Sequence, residues 1–236
     1  MSQKKLVVAG IGEVIFQKRK GSRTIRLTIG HEGQVRVSMP TWSPYNAGEA
    51  FVLSKTEWIK KHQSAKPINL FGMHDRIGKA HRLRFIPEPR NNTTSRVTKT
   101  EIIIRLPIGA RPSDNTVQKI VRAAAVRALK QEAKQLLPHR LHSLAIQFGF
   151  QYRSVAIKQL KTRWGSCSSA KDIALNCYLM QLPWDLIDYV LLHELLHTQI
   201  MAHGKPFWNE LGQYVKGLPS KRQAMRSYQP SLIAAI

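Results

Sequence analysis

Residues Tyr189–His203, YVLLHELLHTQIMAH, place two histidines four positions apart, with a glutamate directly after the first. Because an α-helix has about 3.6 residues per turn, His193 and His197 lie one turn apart on the same face, where both imidazoles can bind one tetrahedral zinc ion. Glu194 lies about 100° further round the helix, where its carboxylate can reach a metal-bound water without binding the metal. This H-E-x-x-H pattern predicts a zinc site with Glu194 as the general base.

The residues around this pattern favour a buried helix. Pro183 suits a first helical turn, and Asp185 and Asp188 follow it, where the helix dipole favours negative charge. The segment is apolar on almost every side, so we expect it in the core. Two histidines and a carboxylate would be costly there if they had no partner, and a bound metal ion removes that objection.

A third histidine follows at the spacing of the zincin pattern H-E-x-x-H-x-x-G-x-x-H. Ile200 stands where that pattern has its glycine, so we expect the chain to turn instead at Met201-Ala202. Three histidine ligands would leave the fourth position of the metal open for water, as in a catalytic site. We therefore predict that His193, His197 and His203 bind Zn²⁺.

Further motifs surround this helix. They are RWGSCS at 163–168, IALN at 173–176, DYV at 188–190 running into HELLH at 193–197, and HGKPFW at 203–208. Together they resemble the YgjP-like metallopeptidases and, more distantly, the SprT and WLM zinc peptidases. The resemblance is densest over Arg163–Trp208. It implies His193, His197 and His203 as zinc ligands and Glu194 as the catalytic base.

The chain changes character along its length. Thr24–Ile29 and Gln34–Met39 alternate polar and apolar residues on either side of a turn, which predicts a hairpin with a basic outer face. Similar short runs continue to Pro107, and helical patterns dominate after it. We predict an α+β fold, with a strand-rich N-terminal part at residues 1–110 and a zincin-like catalytic part, which carries the H-E-x-x-H helix, at residues 111–236.

Two features of the C-terminal part concern the site's surroundings. A helix is predicted over 114–137, where Pro138 interrupts it, and a second helix over His139–Phe148. A strand is predicted over Ile173–Leu182, directly before the H-E-x-x-H helix. We expect this to be an edge strand, along which an extended peptide can pair through backbone hydrogen bonds.

The charge of the chain favours polyanionic partners. Lys and Arg number 37 against 14 Asp and Glu, a formal net charge of +23, while 43% hydrophobic residues indicate a folded core rather than a disordered basic tail. Basic residues cluster at 18–26 and along the predicted helix at 114–137. No helix-turn-helix, zinc-finger or RNP-like motif accompanies them, so any binding of nucleic acid or another polyanion is expected to be sequence-independent.

The cysteines and the apolar segments bear on localisation. Cys167 and Cys177 fit neither a metal knuckle nor a disulfide framework, which predicts a reducing, cytoplasmic location. The apolar stretch Leu6–Phe16 is interrupted by Gly10 and Glu13 and is shorter than the roughly 20 residues that span a bilayer. We therefore expect no membrane association.

These features together predict a zinc-dependent hydrolase, and a metallopeptidase acting on peptide or protein substrates is the favoured interpretation. Zinc would lower the pKa of its bound water, Glu194 would accept the proton, and the hydroxide would attack a carbonyl. A metal-dependent nucleotide or phosphoester hydrolase, pyrophosphatase-like, is one alternative, and a basic DNA-associated binding protein with a vestigial site is another. The candidates for stabilising an oxyanion are Arg163, Asn176, Tyr178 and Tyr214.

Overall fold

The computed structural model describes residues 3–30, 34–64 and 70–230. These residues form both helices and strands, so the predicted mixed α+β class is confirmed. The chain divides into two compact units, Met1–Asn69 and Leu70–Ile236. This division precedes the predicted boundary at residue 110, because the strands after Leu70 share a hydrophobic core with the long helix that follows them.

The first unit is a four-stranded sheet followed by two helices. Its elements are β1 (Gln3–Val8), β2 (Gly12–Arg19), β3 (Arg26–Ile29), β4 (Val35–Pro40), α1 (Tyr45–Ser54) and α2 (Thr56–Ser64). The strand order is β1-β2-β4-β3, and β3 pairs antiparallel with β4, as the predicted hairpin requires. The turn of that hairpin, at 31–33, lies outside the described residues.

Alternate residues of this sheet form the core of the first unit. Val14, Phe16 and Val37 are fully buried on one face, together with Val52 of α1 and Ile59 of α2. Because side chains of a strand point alternately to opposite faces, the intervening residues lie on the other face of the sheet. Most of those residues are exposed.

The second unit begins with another four-stranded sheet, which precedes a long helix. Its elements are β5 (Arg76–Ile77), β6 (His81–Glu88), β7 (Thr94–Val97), β8 (Glu101–Pro107) and α3 (Asn115–Phe148). The strand order is β5-β6-β8-β7. In both sheets the two outer pairs are antiparallel and the central pair is parallel. The two sheets therefore share one topology, although the sequence contains no visible repeat.

Helix α3 packs against the second sheet and passes through a proline without ending. The predicted break at Pro138 is wrong, since α3 is continuous from Asn115 to Phe148. A proline removes one backbone donor and usually bends a helix. Here Leu137 and Leu141 are fully buried on either side of it, so packing holds both halves against the core.

The remaining elements surround the predicted site. They are β9 (Ser154–Lys158), β10 (Gly165–Cys167), β11 (Asp172–Asn176), a 3₁₀ helix (Cys177–Gln181), α4 (Trp184–Leu196), α5 (Lys205–Tyr214) and α6 (Leu218–Ser227). The sheet order is β10-β11-β9, with β11 parallel to β9 and antiparallel to β10. The predicted edge strand at Ile173–Leu182 is therefore wrong: β11 is central and ends at Asn176, and the edge strands are β10 and β9. Across the residues that the structure describes, no helix is long and apolar enough to cross a membrane.

A buried ion pair fastens the turn between β5 and β6 to α3. Glu132 accepts hydrogen bonds from the backbone N–H of Lys79 at 2.7 Å and of Ala80 at 2.9 Å, and its Oε1 lies 2.6 Å from His81 Nδ1. Gly78 completes the turn with φ of 66°, and a side chain there would collide with the Glu132 carboxylate. From the same turn the Lys79 ammonium donates to the Leu182 carbonyl, just before α4. The turn therefore connects α3 with the start of α4.

Hydrogen bonds favour the charged form of both members of this pair. Burial by itself lowers the pKa of His81, but hydrogen bonds to the Glu132 carboxylate and the Thr98 carbonyl raise the pKa above its usual range overall. Burial by itself raises the pKa of Glu132, but the donors from His81, Lys79 and Ala80 lower that pKa overall. The hydrogen bonds thus outweigh the unfavourable burial of both charges.

We expect Glu132→Gln to lower the free energy of unfolding by about 3 kcal/mol, since it breaks a buried charge pair. Glu132 stabilises the fold above its ordinary pKa of 4.5, and His81 does so below its ordinary pKa of 6.5. The loss should therefore be largest between these pH values and shrink as the pH rises through the folded pKa of His81 or falls through that of Glu132. Urea unfolding across a pH series measures it.

Glu101→Gln is the matched control, because this carboxylate forms a surface ion pair with Arg84. Its effect should stay below about 1 kcal/mol. A Glu132→Gln loss that is independent of pH would contradict the assigned charge states.

Candidate metal centre

Three histidine side chains converge at the end of α4. The Nε2 atoms of His193 and His197 lie 3.1 Å apart, and each lies 2.9 Å from His203 Nε2. Nitrogen ligands around a tetrahedral zinc ion, with Zn–N bonds of about 2.0–2.1 Å, are separated by about 3.3 Å. Neutral imidazole nitrogens this close repel one another unless a cation lies between their lone pairs. The donor set therefore fits Zn²⁺.

The chain delivers these histidines by ending α4 early. His193 occupies the last turn of α4, and His197 follows its end while keeping helical dihedrals, so the two remain one turn apart. The predicted turn at Met201-Ala202 is wrong, because the helix already ends at Leu196. The Thr198 hydroxyl donates to the Leu195 carbonyl at 2.8 Å, which satisfies a helix-end acceptor without a glycine.

Groups behind the histidines orient their rings. His197 Nδ1 donates to the Ile200 carbonyl at 3.0 Å, which leaves its Nε2 lone pair facing the other two rings. Trp208 Nε1 donates to the His203 carbonyl at 2.9 Å, and the two rings stack with an interplanar angle of 24°. The Arg222 guanidinium lies over the Trp208 ring, 3.7 Å from the centre of the ring. Helices α5 and α6 thus support the three histidines.

Glu194 is buried beside the three histidines. Its Oε2 has no hydrogen-bond partner among the described residues. Burial raises the pKa of Glu194 to about 8, although the charge of Arg163 opposes the shift. A buried carboxylate without a partner is unfavourable, so a cation or a water molecule at this position would stabilise it.

Burial favours the neutral form of His193 and His197. Burial, and then the neighbouring His197, His203 and Arg222, lower the pKa of His193 to about 3. Burial also lowers the pKa of His197. Neutral imidazole is the form that binds metal ions, so His193 is ready to bind one at every pH near neutrality.

The centre opens into a cleft of about 460 Å³. Residues Arg163–Cys167, which include the edge strand β10, form one wall, and α4 supplies Glu194 and the histidines. Gly165 lies so close to Glu194 that a Cβ atom at this position would come within 2.6 Å of Oε1. The absence of a side chain at Gly165 therefore lets the edge strand run directly past the carboxylate.

Comparisons with known proteins agree with this geometry. The model of the YgjP-like metallopeptidase domain matches residues 23–228. This chain belongs to the YgjP-like family. The resemblance predicted from the sequence motifs is confirmed, and membership supports a peptidase hydrolase and implies a metal ion, usually zinc.

Individual relatives match a smaller part of the chain. An uncharacterized protein of Methanocaldococcus jannaschii is 34% identical over 89 residues, which cover 36% of this chain and 78% of the relative. The metallopeptidase zymogen jannalysin of the same organism is 27% identical, covers 36% of this chain and 88% of its own, and has a TM-score of 0.32. The metallopeptidase zymogen abylysin of Pyrococcus abyssi is 24% identical, covers 42% and 100%, and has a TM-score of 0.36.

The four residues that the sequence offers for stabilising an oxyanion have different environments. Of the four candidates for stabilising an oxyanion, Arg163 lines the cleft. Tyr178 accepts a hydrogen bond from Gln159, and the Tyr214 hydroxyl donates to Glu210. Asn176 is fully buried, so its contribution is to the structure of the cleft wall.

Asn176 holds the loop that precedes β10. Its side-chain amide donates to the carbonyl groups of Leu160 at 2.8 Å and Arg163 at 2.9 Å, and its Oδ1 accepts from the Tyr178 backbone N–H. These bonds fix the loop residue whose side chain lines the cleft. Asn176 is therefore a positioning residue for Arg163.

Sequence reasoning missed three other residues of the cleft. Met201 and Met225 line it from the segment after α4 and from α6, and their sequence context carries no signal for this. Gly165 did carry one, because a glycine inside a strand often marks a close backbone approach.

We expect Asn176→Ala to lower the free energy of unfolding by about 2–3 kcal/mol, since it leaves buried carbonyl groups and an N–H without partners. Chemical denaturation of both variants measures it, with Asn92→Ala as the control because Asn92 is exposed. Equal stability of the two variants would show that the loop does not depend on Asn176.

Proposed function

We propose that the chain is a zinc-dependent metallopeptidase that cleaves extended peptide or protein segments. His193, His197 and His203 would hold the zinc ion, and Glu194 would act as the general base. The observation that carries this proposal is the convergence of three imidazole nitrogens beside a buried carboxylate, in a cleft walled by an edge strand.

The catalytic chemistry divides between the metal and the chain. When bound, zinc supplies a Lewis acid that polarises the scissile carbonyl and acidifies water. Glu194 accepts the proton of the attacking water at its carboxylate and later donates it to the leaving amine.

The wall of the cleft suits an extended substrate. Strand β10 pairs with β11 on one side and has no partner strand on the other in the described sheet. A peptide in β conformation can pair with this edge through backbone hydrogen bonds. Because Gly165 lies close to Glu194, the carbonyl groups of such a peptide would then lie close to the Glu194 carboxylate. Arg163, on the same wall, can stabilise the negative oxygen that forms during attack.

A nucleotide or phosphoester hydrolase is the second candidate. Arg163 lines the cleft and forms no ion pair with any described carboxylate, so it can also contact a phosphoryl group. The two candidates share the metal centre and the base and differ in substrate alone. Assays on both classes of substrate therefore separate them.

The zinc proposal predicts about one zinc ion per chain, lost in His203→Ala because two nitrogen ligands no longer enclose the ion. His142→Ala, which removes an exposed histidine of α3, should keep it. Elemental analysis of each protein, purified from zinc-supplemented medium, gives the count. A folded wild type without metal would refute the assignment.

Glu194→Gln should keep zinc and lower kcat by about 10²–10⁴-fold, because the amide cannot accept the proton. Glu57→Gln, at an exposed glutamate of the first unit, is the control and should have wild-type activity. Each protein is assayed on denatured casein and on nucleoside triphosphates. Nucleotide hydrolysis without proteolysis, abolished by Glu194→Gln, would favour the second candidate over the peptidase.

A further inference from the structure

The first unit presents a cationic sheet face that the metal centre does not use. We call it the outer face: the side of the β1-β2-β4-β3 sheet opposite Val14, Phe16 and the helices. Each of the four strands contributes one cation to this face, and all four cations are exposed. They are Lys5, Arg19, Arg26 and Arg36.

The strand register places these cations around a polar floor. Gln17 of β2 pairs with Ser38 of β4, which pairs with Arg26 of β3. In the neighbouring row Ile15 lies between Lys5 and Arg36 and is 8% exposed. A shallow cavity of about 250 Å³ opens over this part of the face. The outer face is therefore a concave surface with hydrogen-bonding groups at its base and positive charge at its rim.

Most of this charge is not neutralised within the protein. Lys5 lies 3.0 Å from the Glu13 carboxylate. Arg19, Arg26 and Arg36 form no ion pair with any carboxylate of the described residues. Like charges on one face of a sheet repel one another, so this arrangement is unfavourable until an anion binds.

An exposed aromatic residue follows the end of β4. Trp42 is 77% exposed and follows two residues after Pro40, whose register partner is Arg19. An indole ring in water beside positive charge is the usual arrangement for stacking on a nucleic-acid base. The polar floor suits phosphate and sugar oxygens, which favours nucleic acid, while the exposed Val7 of β1 makes an anionic membrane surface the alternative that the experiment must separate.

We propose that the outer face binds a single strand of nucleic acid, with Arg19, Arg26 and Arg36 on the phosphates and Trp42 stacked on a base. The binding is independent of sequence, because phosphate contacts carry no sequence information. It is a second function of the chain, separate from hydrolysis, and it brings the enzyme to nucleic acid.

Fluorescence anisotropy of a labelled oligothymidine, titrated with the full chain at several salt concentrations, tests the proposal. The double variant Arg26→Gln with Arg36→Gln should raise Kd about tenfold at low salt and reduce the slope of log K against log salt by about 1.4, for two lost contacts. Trp42→Ala should raise Kd about tenfold while leaving the salt slope unchanged.

The matched control is Lys55→Gln with Lys61→Gln, which removes the same charge from exposed positions on the helical side of the first unit. It should change Kd by less than about twofold, because salt at 0.1 M screens distant charges over a Debye length of about 10 Å. Equal losses in both double variants would overturn the assignment to the outer face. Tighter binding to anionic phospholipid vesicles than to the oligonucleotide would overturn the choice of partner.

Discussion

The second unit must hold three imidazole nitrogens about 3 Å apart, beside a buried carboxylate. Holding neutral donors this close is unfavourable without a cation, so the surrounding elements must fix each ring. Apolar residues around α4 keep it in the core, and Phe207 and Trp208 of α5 pack against the rings. From the other end, Lys79 joins the start of α4 to the turn that Glu132 holds on α3.

The proposed function also requires a wall for the substrate beside Glu194, which strand β10 would form. Gly165 allows the backbone of this strand to approach the carboxylate more closely than any residue with a side chain would. Asn176 fixes the preceding loop through the carbonyl of Arg163. The family motifs around 163–168 and 173–176 therefore have a common physical explanation, since one forms the wall and the other holds it in place.

Local pattern was enough to predict that His193 and His197 lie side by side, because their four-residue spacing places them one helical turn apart. The remaining errors concern interactions distant in sequence. The order of the β10-β11-β9 sheet depends on a parallel pairing of β9 with β11, which no short window reveals, so β11 looked like an edge strand. Pro138 was predicted to interrupt the helix because the sequence around it does not show that Leu137 and Leu141 are buried against the core. Strands β5–β8 alternate polar and apolar residues as β1–β4 do, so the sequence shows no change of pattern between the two sheets. The predicted boundary at residue 110 therefore follows both of them, whereas the two units divide after Asn69.

Among the described residues, the two units have separate hydrophobic cores that share no residue. The arginines of the outer face are thus carried by one core and the histidines of the metal centre by the other. Under the two proposals, what the chain binds and what it cleaves therefore rest on different sets of buried residues, and each can be altered by substitution separately.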